Sequence, residues 1–473
     1  MNQFSSQQRK FVYLGGILAL LIPIIWLGLP ADRDGQTAGF IAQQRAKLDL
    51  GESNLGELDP SGSAMNLVLL GLRGVAANIL WVQAEEQKNH KDWAQMRATT
   101  ESIIRLQPHF VKVWEYNAWN LAYNVSAEWD AVSDRYFWVK EGGKFLQKGV
   151  ARNRMAPDLY WHVGNIYGKK IGLSDEARYF RRFFRQDPDP RFNGGIDPDW
   201  NDEDKDNYLV AKDWFGRAND VEAEKKMRQT IQDLSIFRSY PARAQLDYAS
   251  ALQKYGFNEE LDRQLAGREV SEEERAALQN QVREKLQEQT REAWALGLKD
   301  WTETYGRELF TVPYEDHIVQ FRMEISDEEI RDLGKTPEEI ARIRRTVEAY
   351  QKMINYRYWR TRALCEAEPE TAEMHWSLFA AVEDYRKQLL DTAQQHALRT
   401  MTLLEGIFQR YPELTVEEDL IEDGMTALLI WHYVYKLNGE RPPADYPLKD
   451  LYNAKQGDLT TYERKFNRRV EAQ

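Results

Sequence analysis

The sequence predicts an all-α protein in which paired helices follow one N-terminal membrane-spanning helix, and three observations carry that prediction. Residues 11–29 read FVYLGGILALLIPIIWLGL, nineteen residues without a charge. Beyond them, apolar residues recur at helical spacing in segments that end at Pro108, Pro157, Pro188 and Pro412. Ser271-x-x-Glu274, Thr336-Pro337-x-Glu339 and Thr415-x-x-Glu418 are capping boxes, in which the side chains of the first and fourth residues satisfy each other's free backbone N–H groups at a helix start.

A hydrocarbon core of ~30 Å needs about 20 apolar residues at 1.5 Å each, so residues 11–29 are long enough to span a bilayer. Arg9 and Lys10 abut this run on its N-terminal side, whereas Asp32 and Asp34 flank Arg33 beyond its other end. The positive-inside bias therefore puts residues 1–10 in the cytoplasm and the body of the chain on the extracytoplasmic side of the membrane. The exit reads Leu27-Gly28-Leu29-Pro30-Ala31, without an Ala-x-Ala site, which favours an uncleaved signal anchor over a signal peptide. Residues 30–63 are polar and Gly-bearing, a linker with the turn signal Asp59-Pro60-Ser61-Gly62. A second apolar stretch, residues 64–82, carries Arg73 near its middle, which costs at least ~2.5 kcal/mol in a membrane. It reads instead as a buried first helix of the body.

The body itself has a negative balance, 63 basic against 75 acidic residues for a net charge of −12, the wrong sign for tracking a phosphate backbone. Nucleic acid is excluded as an expected partner. Cys365 is the only cysteine, so neither an intrachain disulfide nor a Cys-based zinc cluster can form. Fifteen Trp in so charged a chain are accounted for either by helix packing or by an aromatic-lined groove.

Residues 64–256 read as helix pairs. One pair runs from Asn78 to Pro108 with its join near Asn89 to Lys91, and the next opens with Val113, Trp114, Ala118, Leu121 and Ala122. A third, from Pro157 to Pro188, carries Gly164, Tyr167, Ala177, Phe180 and Phe184. Residues 187–206 hold eight acidic side chains among turn signals and read as a solvated loop that pairs with Arg178, Arg181, Arg182 and Arg185. Calcium is the sharper alternative for that loop, although its spacing does not fit an EF-hand. Tyr240-Pro241 reads as a new helix start and Gly256 as its stop. Residues 257–345 have a lower apolar density and are expected to form a charged helical insertion. Residues 346–440 return to helical hairpins with a break near Asp391-Thr392, and residues 441–473 read as a polar tail with little to pack.

The unit from Pro157 to Pro188 resembles a tetratricopeptide repeat: Gly164 and Tyr167 match the small and aromatic positions of its first helix, Ala177 and Phe180 those of its second, and Pro188 the closing proline. The N-terminal anchor together with GLRGVAANILW, RLQPHFVKVWEYNAWNLAYN and NYRYWRTRALCEAEP also resembles a group of membrane proteins of planctomycete-type bacteria. The tetratricopeptide likeness implies a solenoid of stacked hairpins whose concave face cradles a protein partner. Tyr116, Trp119, Tyr123, Tyr160 and Tyr167 are the candidates to line that face.

No GxSxG, HExxH, Walker loop or dinucleotide fingerprint occurs, and no cofactor or metal is expected. Glu86 and His90 share a helical face but have no second pair of ligands beside them. The expectation is a membrane-anchored scaffold that assembles protein partners in the cell envelope. The alternative is a glycan-acting enzyme on an α/α framework, which needs two carboxyl groups about 5 to 10 Å apart in a Trp-lined cleft.

Overall fold

The computed structural model describes residues 73–224, 232–265, 268, 270–314 and 316–471, together with residues 10, 13–17, 19, 20, 22, 23 and 43. The expected span over residues 11–29 falls largely outside them, as do the linker and residues 64–72. Among the described residues no helix is long and apolar enough to cross a membrane. The described chain is predominantly helical, with one antiparallel β-hairpin. It divides into two compact units, Met1–Asp204 with Trp214–Ile231, and Lys205–Asp213 with Gln232–Gln473.

In the first unit the helices follow one another as contacting pairs. They are α1 (Arg73–Asn89) on α2 (Trp93–Leu106), α3 (Val111–Trp119) on α4 (Val132–Arg152), and α5 (Pro157–Asn165) with α6 (Ala177–Arg185), which meets the turn Ile166–Ile171 that extends α5. α7 (Asn207–Glu224) follows the acidic loop. The Asp92 carboxylate caps α2 by accepting from the Gln95 amide, and Pro157 opens α5, where its missing N–H costs nothing. α2 buries Met96, Thr99, Thr100, Ile103 and Ile104, the i, i+3, i+4, i+7, i+8 stripe of a helix lying on a core. α3 and α5 each widen at their C-terminal ends into a six-residue π turn, Asn120–Val125 and Ile166–Ile171. In each case the turn begins two residues after a small buried residue, Ala118 or Gly164. Gly164 is small because a Cβ there would lie 2.8 Å from the Phe215 ring.

The expected buried first helix is only half met. α1 turns Ala77 and Ala84 inward but leaves Val75, Ile79 and Val82, which share one face at i, i+4, i+7, exposed.

The second unit opens with the long helices α8 (Leu234–Leu265) and α9 (Glu272–Lys299), packed on each other, and α9 ends in a third π turn, Asp300–Tyr305. The expected stop at Gly256 and start at Pro241 are both overturned, since α8 runs through them. Phe237, Ala242, Leu246 and Ala249 pack its inner face and offset the hydrogen bond that Pro241 cannot donate. Then come β1 (Phe310–Tyr314) and β2 (His317–Phe321), paired with Phe310 opposite Phe321 and Val312 opposite Val319. This hairpin is a correction to the all-helical reading of residues 257–345. Within that stretch Trp294, Trp301, Tyr305, Phe310 and Phe321 are core residues of the unit.

After α10 (Asp327–Leu333), α11 (Pro337–Met353) and α12 (Tyr356–Glu366), the chain ends in α13 (Pro369–Arg386), α14 (Leu390–Arg410), α15 (Glu418–Leu437), α16 (Lys449–Ala454) and α17 (Leu459–Glu471). The polar-tail reading of residues 441–473 is overturned. α17 buries Tyr462 and Phe466, whose ring meets Tyr385 and Tyr433 edge-on, and Arg469 pairs with Asp423 at 2.8 Å.

Candidate functional site

The five aromatics singled out in the sequence all belong to the first unit but do not form one surface. Tyr116 is half-buried against Trp81, with ring centroids 4.8 Å apart and the Lys88 ammonium 5.0 Å from its ring centroid. Trp119 and Tyr123, one turn apart, stack at 5.5 Å with 19° between their planes, and Lys170 lies 4.8 Å above the Tyr123 ring. Trp119 is 48 % exposed, which core packing does not require. Tyr160 is half-buried beside Trp214. Tyr167 is the correction: it is 0 % exposed, stacks on Trp200 at 4.2 Å, donates to the Trp200 carbonyl and accepts from Gln147, so it is core rather than lining.

The acidic loop is likewise not a solvated one throughout. Asp187 and Asp197 are buried, and the Lys140 ammonium of α4, also buried, lies 2.7 Å from one and 3.0 Å from the other. Lys144 adds a second cation 2.8 Å from Asp197. Of the four arginines expected to pair with the loop, Arg185 reaches Asp204. The Lys140 ammonium, unremarkable in the sequence, is the charge that both buried loop aspartates meet.

The second unit holds a five-membered ionic network, largely buried, and sequence reasoning did not bring its members together. Arg362 and Glu366 lie one turn apart on α12 with Nη2 2.6 Å from Oε1. Glu366 Oε2 is 3.0 Å from His375 Nε2, His375 Nδ1 is 3.1 Å from Asp423 Oδ2, and Asp423 Oδ1 accepts from Arg469 at 2.8 Å. The result is an alternating row, Arg362, Glu366, His375, Asp423, Arg469, drawn from α12, α13, α15 and α17. Burial disfavours the His375 imidazolium, but the Glu366 charge and the hydrogen bonds to Asp423 and Glu366 outweigh it and raise its pKa to about 9. Burial likewise opposes ionisation of Glu366 and Asp423, yet Arg362 and His375 hold Glu366 below the ordinary carboxylate range, and Arg469 and His375 hold Asp423 well below it. With both ring nitrogens engaged, His375 is no free base. Neighbouring Cys365 is inert as well, its thiol pushed up to about 12 by burial and by Glu366.

Glu366 and His375 of this row form part of the wall of a cavity of about 120 Å³ between α8, α9, α12 and α13. Its other walls are Leu252, Phe257, Leu286, Trp294, Trp376 and Phe379, with Gln253, Gln287, Thr290, Arg283 and Arg291 as polar edges. Gln253 accepts from the Trp294 indole at 2.7 Å, which turns its amide nitrogen to within 2.5 Å of His375 Nε2. The Arg283 guanidinium lies 4.5 Å from the Trp376 centroid and 4.6 Å from that of Phe379.

Among the described residues no three His, Cys, Asp or Glu side chains converge where they could share a metal ion. Glu86 and His90 both stand exposed on or beside α1. Comparison with protein-family models, with curated proteins and with solved structures finds no match to this chain.

Proposed function

We propose that this protein is a scaffold of tetratricopeptide-like helical hairpins, anchored in a membrane by residues 11–29 with its body extracytoplasmic, that binds a protein partner in the cell envelope. The observation that carries the reading is Trp119, exposed and stacked on the half-buried Tyr123 with Lys170 over that ring. Large rings held rigid at a surface lose little entropy when a partner covers them, which is why Trp and Tyr dominate binding hot spots. Supporting it, three helix pairs close near Pro108, Pro157 and Pro188, and two of them share a small residue followed by a π turn. Stacked pairs of this kind leave one helix of each on a continuous face.

A double variant, Trp119→Ala with Tyr123→Ala, should retain the helical circular dichroism of the parent and lose partner recovery in a crosslinked pull-down of the anchored protein. Undiminished recovery would reject this surface. Reporter fusions after Asp59 and after Gln107 should both give extracytoplasmic signals, and a cytoplasmic signal at Gln107 would reject the proposed topology. The enzyme alternative gains nothing from Glu366 and Asp423, because a glycosidase acid must hold its proton near neutral pH and both of these are kept ionised.

A further inference from the structure

The cavity in the second unit has a cation in its wall that the fold leaves half used. Arg283 packs its guanidinium on Trp376 and Phe379, and its hydrogen bond is a single one, from Nη1 to the neutral Asn280 side chain at 3.2 Å. Its Nε is buried and has no hydrogen-bond partner among the described residues. Nor does any carboxylate there come within ion-pairing distance of it. Glu383 and Asp384, the acids whose charges reach it, are engaged elsewhere, with Arg386 and His396.

Two other arginines of the same unit show what is missing. Arg243 also lies over a tryptophan, Trp359, with its centroid distance at 3.3 Å, and it pairs with Asp247 at 3.0 Å. Arg362 is buried and pairs with Glu366. A buried guanidinium donor without an acceptor costs ~1–3 kcal/mol or more, and a planar anion is the group its fork of N–H bonds is shaped to receive.

We infer that this cavity binds an organic carboxylate, with its apolar body between Trp294, Trp376, Phe379 and Phe257 and its carboxylate on Arg283. The volume of about 120 Å³ admits several waters or one small organic group, not a sugar chain or a nucleotide. The charge of the lining favours a monoanion. Of the charged lining, Glu366 is already neutralised by Arg362 and His375 and Arg291 by Glu288, which leaves the single charge of Arg283. A dianion such as phosphate would face the same apolar walls with twice the charge to desolvate and one unengaged arginine to meet it. The carboxylate can belong to a free acid or to the last residue of a chain, and the chemistry recognised is the same. This site belongs to the second unit and does not depend on the aromatic surface of the first.

Titration calorimetry on the full chain tests this with 4-phenylbutyrate, its neutral amide, and a peptide ending in phenylalanine with either a free or an amidated terminus. The expected result is one-to-one binding of the free acid, the free-terminus peptide or both, each at least about tenfold tighter than its amide, since a charge-assisted pair is lost in the amide. Which of the two carboxylates binds identifies the source. Arg283→Met should abolish the difference between acid and amide while Arg283→Lys retains part of it. Equal binding of acid and amide, an acid-over-amide preference unchanged in Arg283→Met, or no heat from any of the four probes would each overturn the inference. The acid and amide comparison uses the parent protein, so it stands even where a variant fails to fold.

Discussion

Both units bury charge, and they bury it to different ends. In the first, Lys140 is clamped between Asp187 and Asp197 beneath the acidic loop, with Lys144 closing the cluster. In the second, five charges alternate from Arg362 to Arg469 through His375, and two of them, Glu366 and His375, border a cavity. The first cluster, built of lysine and aspartate alone, pins the loop to α4. A histidine at the centre of the second, its pKa raised to about 9, gives that network a charge that changes in mildly alkaline solution. One device staples a loop, and the other couples a ligand-sized space to protonation.

The largest expected effect breaks the pin. Lys140→Met leaves two buried carboxylates with only Lys144 between them and should cost about 3–5 kcal/mol, read as a drop in the urea midpoint at unchanged slope. Adding Asp187→Asn to that variant should recover part of the loss, because neutralising the orphaned partner removes the penalty of burying it. A cost under about 1 kcal/mol for Lys140→Met would mean that the cluster contributes no more than a surface pair.

Next in size is the pH dependence that the second network should confer. The pKa of His375, about 9 in the fold, exceeds its unfolded value of about 6.5, so its contribution is complete below about pH 6.5 and is lost as pH rises through 9. Its upper bound is about 3 kcal/mol. Glu366 and Asp423 have lowered values, and their contribution runs the other way, present above about pH 4 and lost in acid. Unfolding free energy measured from pH 6 to 9.5 should therefore fall, and His375→Gln should flatten that limb. A limb equally steep in His375→Gln would assign the titration to another group.

A smaller effect returns to the first unit. Gly143 of α4 lies so close to Trp200 of the acidic loop that an added Cβ would sit 2.0 Å from the indole ring. Gly143→Ala should cost about 1–3 kcal/mol by prising the loop from the helix that carries Lys140. Gly457→Ala, where nothing lies within 4 Å, serves as the control and should cost little.

How much of this was legible depends on how local each cause is. The join near Asn89 to Lys91 and the break near Asp391 were readable, the chain turning at Lys91 and at Gln388, both with positive φ. Arg362 and Glu366 stand one turn apart and were visible as a pair in principle, but His375, Asp423 and Arg469 reach them only through tertiary packing. The hairpin did carry a signal, the period-two alternation of Phe310, Val312 and Tyr314 and then His317, Val319 and Phe321, which the surrounding charge density masked. Tyr462 and Phe466, four apart, were the whole trace of α17's buried face. The π turns had no sequence signature that periodicity could detect.

The smallest effect sharpens that lesson, because two identical signatures have different fates. At Ser271 the hydroxyl accepts from the Glu274 amide at 3.2 Å and the Glu274 carboxylate accepts from the Ser271 amide at 3.0 Å, the reciprocal box the sequence predicts. Ser326 and Glu329 form another that the pattern equally allowed. Thr415-x-x-Glu418 does not. Pro412 starts a short 3₁₀ turn that takes in Thr415, whose hydroxyl donates to the Pro412 carbonyl at 2.7 Å, and α15 begins at Glu418 with no side-chain cap. The difference lies in what precedes the serine or threonine, since a cap residue must be extended and the turn holds Thr415 helical instead. Ser271→Ala should therefore cost about 1 kcal/mol, whereas Thr415→Ala, losing one exposed hydrogen bond, should cost a few tenths at most. Equal costs in paired urea titrations would show that the box at Ser271 contributes nothing beyond the intrinsic preference of its backbone.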